Sequence, residues 1–94
     1  MSDFIFEWDP DKNKLNIQKH GISFHEAESV FSDDNLLYWP DDKHSGQEER
    51  FMVMGMSSYP RILLVCHCIR DGIKVRIISA REATLNEKQI YESR

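Results

Sequence analysis

Arg61-Ile-Leu-Leu-Val-Cys-His-Cys-Ile-Arg-Asp-Gly-Ile-Lys-Val-Arg-Ile-Ile-Ser-Ala-Arg81 contains two runs rich in isoleucine, valine and leucine, parted by Asp71-Gly72. An Asp-Gly pair between such runs is the strongest short-range signal for a tight hairpin, so the stretch predicts two adjacent antiparallel strands. With Asp71 and Gly72 as the two central turn residues, Arg70 faces Ile73, Cys68 faces Val75, His67 faces Arg76 and Cys66 faces Ile77. Side chains alternate along a strand, so this register sorts them into two surfaces. Ile62, Leu64, Cys66, Cys68, Ile73, Val75 and Ile77 form an expected core face. His67, Lys74 and Arg76 share the other face with Leu63, Val65, Ile69 and Ile78. A cationic end on an otherwise apolar surface serves either structural ion pairing or the docking of an anion.

Outward from the hairpin, 94 residues leave room for a single domain spanning 1–94, with a small core that a partner would help to bury. Hydrophobic residues at 40% and charged residues at 30% exclude disordered and fibrous classes. No apolar run approaches the roughly 20 residues needed to cross a bilayer, and Met1 to Glu7 lacks a basic region followed by a long apolar one, so a cytoplasmic location is expected. Cys66 and Cys68, one residue apart on a strand, are read as reduced core thiols. The net charge of -4 is unevenly spread. Between Asp33 and Glu49, six carboxylates stand against Lys43 alone, whereas between Arg61 and Arg81 five cations stand against Asp71 alone. Local field, more than the sum over the molecule, decides where a polyanion approaches.

The rest of the chain supplies elements to pack against the hairpin. Phe4 to Trp8 suits a short strand, and Asp9-Pro10 starts a helix that runs to about His20 and stops at Gly21. Leu15 and Ile17 are its main apolar residues, so that helix is expected to be wet or to touch another molecule. Ser23-Phe-His-Glu26 has capping-box spacing and opens a second helix whose Phe24, Ala27, Val30 and Phe31 share a core face. Leu36 to Trp39 reads as a strand stopped by Pro40, Asp41 to Glu49 as a polar loop, and Arg50 to Met56 as another strand. Thr84-Leu-Asn-Glu87 caps a last helix. The expected fold is α+β: strand, helix, helix, a four-stranded antiparallel meander, and a carboxyl-terminal helix.

Metal chemistry is disfavoured, because the thiols of Cys66 and Cys68 point away from the imidazole of His67, and the Asp41, Asp42 and His44 group lies on a solvated loop. No cofactor motif is present. Metal-independent RNA cleavage needs a base for the ribose 2′-hydroxyl, an acid for the leaving oxygen and cations around the phosphate. His67 beside Arg76 supplies a titratable group and a fixed cation, Arg61 and Arg81 extend the cationic track, and Tyr91 is available to stack or donate. The competing reading is a non-catalytic module whose cationic hairpin face docks a DNA-binding partner protein.

Phe6-Glu-Trp-Asp9, Lys19-His-Gly21 with Ser23-Phe24, Glu49-Arg-Phe51, and Val75-Arg-Ile-Ile-Ser-Ala-Arg81 with Ala83-Thr84 and Tyr91 resemble BrnT-type toxins of bacterial type II toxin–antitoxin systems. The resemblance spans nearly the whole chain. It implies a RelE-like fold, a ribonuclease that inhibits translation, and a BrnA-type antitoxin with a ribbon-helix-helix domain. It further implies contact with operator DNA only through that antitoxin, and leaves room for a toxin dimer in the complex. Trp8, Lys19, His20, Arg50, Arg76, Arg81 and Tyr91 match its motif blocks, whereas His67 falls outside them. On this reading Arg76 and Arg81 bind phosphate and His67 or His20 transfers protons. Lys19, Arg50, Lys74, Trp8 and Tyr91 then contact the RNA.

Overall fold

The structure, a computed structural model, describes residues 4–44, 46 and 48–94. Met1 to Asp3, on which the reading of the amino terminus rests, and positions 45 and 47 of the polar loop lie outside the described residues. In chain order the elements are β1 (Ile5–Glu7), α1 (Pro10–His20), α2 (Phe24–Ser29) with a 3-10 turn (Val30–Ser32), and β2 (Leu37–Pro40). A second 3-10 turn (Asp42–His44), β3 (Arg50–Met56), β4 (Ile62–Arg70), β5 (Lys74–Glu82) and α3 (Leu85–Glu92) follow. The antiparallel meander β2-β3-β4-β5 matches expectation, and β1 adds to it in parallel beside β5, giving the order β1-β5-β4-β3-β2. No helix is long and apolar enough to cross a membrane.

One surface of this sheet is packed by the amino-terminal helices: Ile22, Phe24, Ala27 and Val30 bury against Val53, Leu63, Val65, Val75, Ile77 and Ala80. Gly55 lets the 3-10 turn come close, since a Cβ there would lie 2.9 Å from Val30 Cγ1 and 3.3 Å from Leu36 Cβ. The opposite surface, called outer below, is covered at one end by α3, where Tyr91 packs on a cluster of Met54, Ile62, Leu64 and Ala83.

The poorly apolar α1 is held by amides. Asn16, its one buried residue, donates from Nδ2 to the carbonyls of Ala80 and Ile22, and accepts from the N–H of Ala80. The side chain thus takes the place of a strand along β5 beyond the end of β1, while Leu15 stays 63% exposed. Asp9 caps the helix start and Gly21, at φ 70°, closes its end, as expected. Ser23 caps α2, but Glu26 does not reach back to it. Its carboxylate instead binds Arg61, at 2.6 Å to Nη2, and accepts from Ser57 Oγ at 2.7 Å. Hydrogen bonds from Arg61 hold the Glu26 carboxyl below its usual range, and they remove Arg61 from the expected cationic track. Pro40 closes β2 from inside the strand, which an edge position tolerates.

The hairpin register departs from expectation, with consequences for every side chain near the turn. Asp71 and Gly72 lie in the turn, left-handed at φ 53° and 78°, but Ile73 joins them and Arg70 pairs with Lys74. The N–H of Ile73 donates to the carbonyl of Arg70 at 3.3 Å, which closes a three-residue turn, and its carbonyl accepts from the N–H of Ile5 at 2.9 Å on the β1 side. Cys68 therefore faces Arg76, and His67 faces Ile77. A slip of one residue exchanges the two faces. A second irregularity, between Cys66 and His67, adds one more residue of offset, so that Cys66 pairs with Ser79 and Leu64 with Arg81. The expected core face is consequently divided. Val75 and Ile77 lie under the helices, while Leu64, Cys66 and Cys68 point to the outer surface.

Candidate functional site

On the outer surface the register aligns four residues across four adjacent strands: Arg50 of β3 pairs with Cys68 of β4, Cys68 with Arg76 of β5, and Arg76 with Glu7 of β1. Neighbouring strands lie ~4.8 Å apart, so the two arginines start about 10 Å from each other with Cys68 between them, and Arg76 is paired to Glu7 on its other side. Toward the hairpin tip, Arg70 and Lys74 form the next row. Four cations thus occupy one end of a face whose other end carries α3.

Carboxylates neutralise this cluster. Arg76 Nη1 is 3.4 Å from Glu7 Oε2, Arg70 Nη2 is 2.9 Å from Glu48 Oε2, and Lys74 Nζ is 4.0 Å from Asp71 Oδ2. Arg50 is engaged as well. These three pairs are each about a third exposed or more, so each contributes little to stability, and a phosphate dianion or diester can exchange for the carboxylate. Burial pushes the Cys68 thiol up, and its hydrogen bond holds the Glu48 carboxyl down. Cys66 and Cys68 are both free thiols. Among the described residues no group of three His, Cys, Asp or Glu side chains converges to hold a metal ion.

The structure brings together Arg50, Lys74 and Arg76 of the residues singled out from sequence, and separates the others. His67 lies on the helix-packed surface at 5% exposure, its ring 4.9 Å from that of Phe31, and does not share a face with Arg76. Burial pushes its pKa down to about 4, with a hydrogen bond to the Val65 backbone partly opposing the shift. Its Nδ1 has no hydrogen-bond partner among the described residues. It lines a cavity of about 320 Å³ together with Phe31, Leu36 and Ile69, with Phe4 and Tyr38 among the same lining. The pairing of imidazole with guanidinium read from the two-residue turn is therefore corrected by the three-residue one.

Arg81 is on the outer surface but points to α3, where Glu87 receives it through two contacts of 2.8 and 3.0 Å. That pairing drives the Glu87 carboxyl down to about 2. Tyr91 donates to Asp33 at 2.5 Å. Trp8 meets Phe24 edge to face at 6.2 Å, as part of the core. Lys19 and His20 are exposed in the last turn of α1, next to Gly21, whose carbonyl accepts from Arg61 at the far end of β4 from the cationic rows. Glu7 is the member of the row that sequence reasoning left without a role. The signal for it was nonlocal: only the parallel pairing of β1 with β5 sets Glu7 beside Arg76.

A family model described as "Ribonuclease toxin, BrnT, of type II toxin-antitoxin system" matches residues 8–87. The 1.1 Å crystal structure of the Brucella abortus ribonuclease toxin BrnT is similar, with a TM-score of 0.68 at 24% identity, over 86% of this chain and 97% of that one. No curated protein sequence matches. The structural likeness concerns the fold, and the family match takes in Arg50, Cys68, Lys74 and Arg76 but begins one residue after Glu7.

Proposed function

Because the chain belongs to the BrnT family of ribonuclease toxins of type II toxin–antitoxin systems, we propose that it cleaves RNA without a metal ion, on the outer face of its sheet. The row of Arg50, Cys68, Arg76 and Glu7 is the observation that carries this reading. Arg50 and Arg76 grip the scissile phosphate from two sides, and Lys74 takes a neighbouring phosphate. Glu7, brought beside Arg76 by β1, is the base. Its carboxylate takes the proton of the ribose 2′-hydroxyl, the 2′-oxygen bonds to phosphorus, and the bond from phosphorus to the 5′-oxygen breaks. The leaving oxygen takes a proton from water, and the products are a 2′,3′-cyclic phosphate and a 5′-hydroxyl end. Proton transfer is assigned here and away from His67, which is buried on the opposite surface of the sheet from Arg76, and from His20, which is at the far end. Lys19, Arg81, Trp8 and Tyr91 have no part in the bond-breaking step.

In this reading the chain acts in the cytoplasm, inhibits translation, and is neutralised by a BrnA-type ribbon-helix-helix antitoxin that alone contacts operator DNA. The ion pairs along the cationic face suit a toxin that must release internal carboxylates before RNA binds. The test is cleavage of a short RNA by the purified chain in the presence of a chelator. The parent gives cyclic-phosphate ends, Glu7→Gln binds RNA without cutting it, and Arg50→Ala with Arg76→Ala loses both properties. A folded Glu7→Gln that cuts as fast as the parent removes Glu7 as the base. A folded double arginine variant with full activity removes the face.

A further inference from the structure

The cations of this chain fall into two populations. Each of the six lysines and arginines from Arg61 to Lys88 has a carboxylate oxygen within 4.0 Å. On α1, by contrast, Lys12, Lys14 and Lys19 are exposed and form no ion pair among the described residues, and Asp11 is the one carboxylate of the helix. In a protein of net charge -4, uncompensated positive charge is thus gathered on one helix. Two amides fix its orientation. The helix follows the edge of β5 that begins with Glu7 beside Arg76, and Asn16 meets Ala80 on it. Asn13, about 60° round the helix from Asn16, accepts from the Phe24 N–H and so looks toward the surface that α2 covers. Lys12, Lys19 and Leu15 lie to the other side of Asn16, by about 40°, 60° and 100°, and border the outer surface. Lys14, about 160° from Asn16, points away from the sheet.

We propose that the stripe of Lys12, Leu15 and Lys19 is a second contact for the RNA strand, holding its phosphates once it has passed over Glu7. The inference rests on the reading of the outer face as the RNA surface and extends that surface by one helix. The row of Arg50, Cys68, Arg76 and Glu7 ends at the β1 edge, and α1 continues along the same edge. A strand crossing the row is therefore led to the stripe, whose two lysines stand about 10 Å apart along the helix axis. At the row RNA must displace carboxylates, whereas at Lys12 and Lys19 it displaces only loosely held counterions, so capture begins on α1. The helix carries no Phe, Tyr, Trp or Arg on which a base could stack. Its contacts are to phosphate, with Leu15 against ribose, and they carry no sequence preference. An acidic protein segment would also satisfy lone lysines, but the continuity of the stripe with the row favours the polyanion already lying there.

The experiment measures binding of the full chain to two RNAs of mixed sequence whose riboses are 2′-O-methylated, and which therefore cannot be cut, over a range of salt concentrations. One is a trinucleotide confined to the row, the other a longer single strand that reaches α1. Lys12→Ala with Lys19→Ala is expected to weaken the longer strand about tenfold and to flatten its plot of log affinity against log salt by about 1.4, two phosphate contacts at ~0.7 each. The trinucleotide binds as before. Lys14→Ala, which removes the same charge from the side turned away from the sheet, leaves both unchanged. Alanine favours a helix, so these variants stay folded, as thermal transitions verify. An unaltered affinity and salt slope for the longer strand in the double variant overturns the proposal, as does an equal loss in Lys14→Ala. A double variant that keeps the RNA and loses an acidic protein partner instead assigns the stripe to that protein and overturns it too. Cutting of unmodified RNA is scored separately. A chain that does not cut but binds through these lysines sinks the nuclease reading alone, one that cuts with binding indifferent to them sinks this proposal alone, and one that binds neither RNA sinks both.

Discussion

The two surfaces of the sheet carry chemistry of the same kind and use it in opposite ways. Beneath the helices, His67 sits among Phe31, Val65 and Ile77 and is held neutral by burial. On the outer surface, Arg76 is only one residue closer to the amino end than Ile77, the position opposite His67, yet it is half-exposed and paired to a carboxylate it can release. What separates a packed imidazole from a usable guanidinium is one residue of turn. Chemistry-bearing residues on a hairpin are thus assigned by register, and register here departs from the one a two-residue Asp71-Gly72 turn would give.

The most severe way to break this contrast is to disable the outer row. Arg76→Ala is expected to lower RNA cleavage by about 10²–10³-fold, measured by single-turnover rates on a short RNA. If it falls by less than a few fold in a folded protein, the two surfaces do not differ as described.

Acid titration sharpens the other side. Since the folded pKa of His67 is lowered from 6.5 to about 4, the unfolded chain takes up the proton first as pH falls. Stability therefore declines from about pH 6.5 down to pH 4, by roughly 3 kcal/mol. Carboxylates such as Glu87, at about 2 when folded, add their own loss only below their ordinary range near 4.5. Urea unfolding at a series of pH values checks this, with His67→Phe expected to flatten the upper window and leave the lower one.

Gly55→Ala probes the closeness of the helix-packed side. The added methyl meets Val30, Asp33 and Leu36 within 3.3 Å and is expected to cost about 1–3 kcal/mol in denaturant unfolding, with no direct change on the outer face. The smallest effect is on RNA affinity, at Glu7, whose loss as base is a separate and larger one. Freeing Arg76 from a half-exposed ion pair by Glu7→Gln is expected to tighten RNA binding about two- to threefold while cleavage falls, an opposition that filter binding and rate measurements separate.

Much of the fold was legible because its signals are local. The Asp9-Pro10 start and Gly21 stop of α1, the Ser23 and Thr84 caps and the strand from Arg50 to Met56 each lie within a few residues of their cause. The Arg50, Lys74 and Arg76 cluster was legible in part, through charge and motif. The partners were not. Glu26 leaves its capping box for Arg61 thirty-five residues on, Arg81 turns to Glu87 on α3, and Ile73, the third residue of the turn, gives its carbonyl to Ile5. Each is a contact between elements, decided by packing that no window along the chain contains.

Asn16 carries a consequence for the molecule in company. An uncovered strand margin is a template on which another chain can add itself, and here the open stretch of β5 past β1 is stoppered by one amide that answers both the N–H and the carbonyl of Ala80. At the far margin β2 ends in Pro40, which has no N–H to offer. Exchanging that amide for a leucine would uncork the sheet, and the first sign would be aggregates growing with protein concentration well before any loss of the monomer's fold.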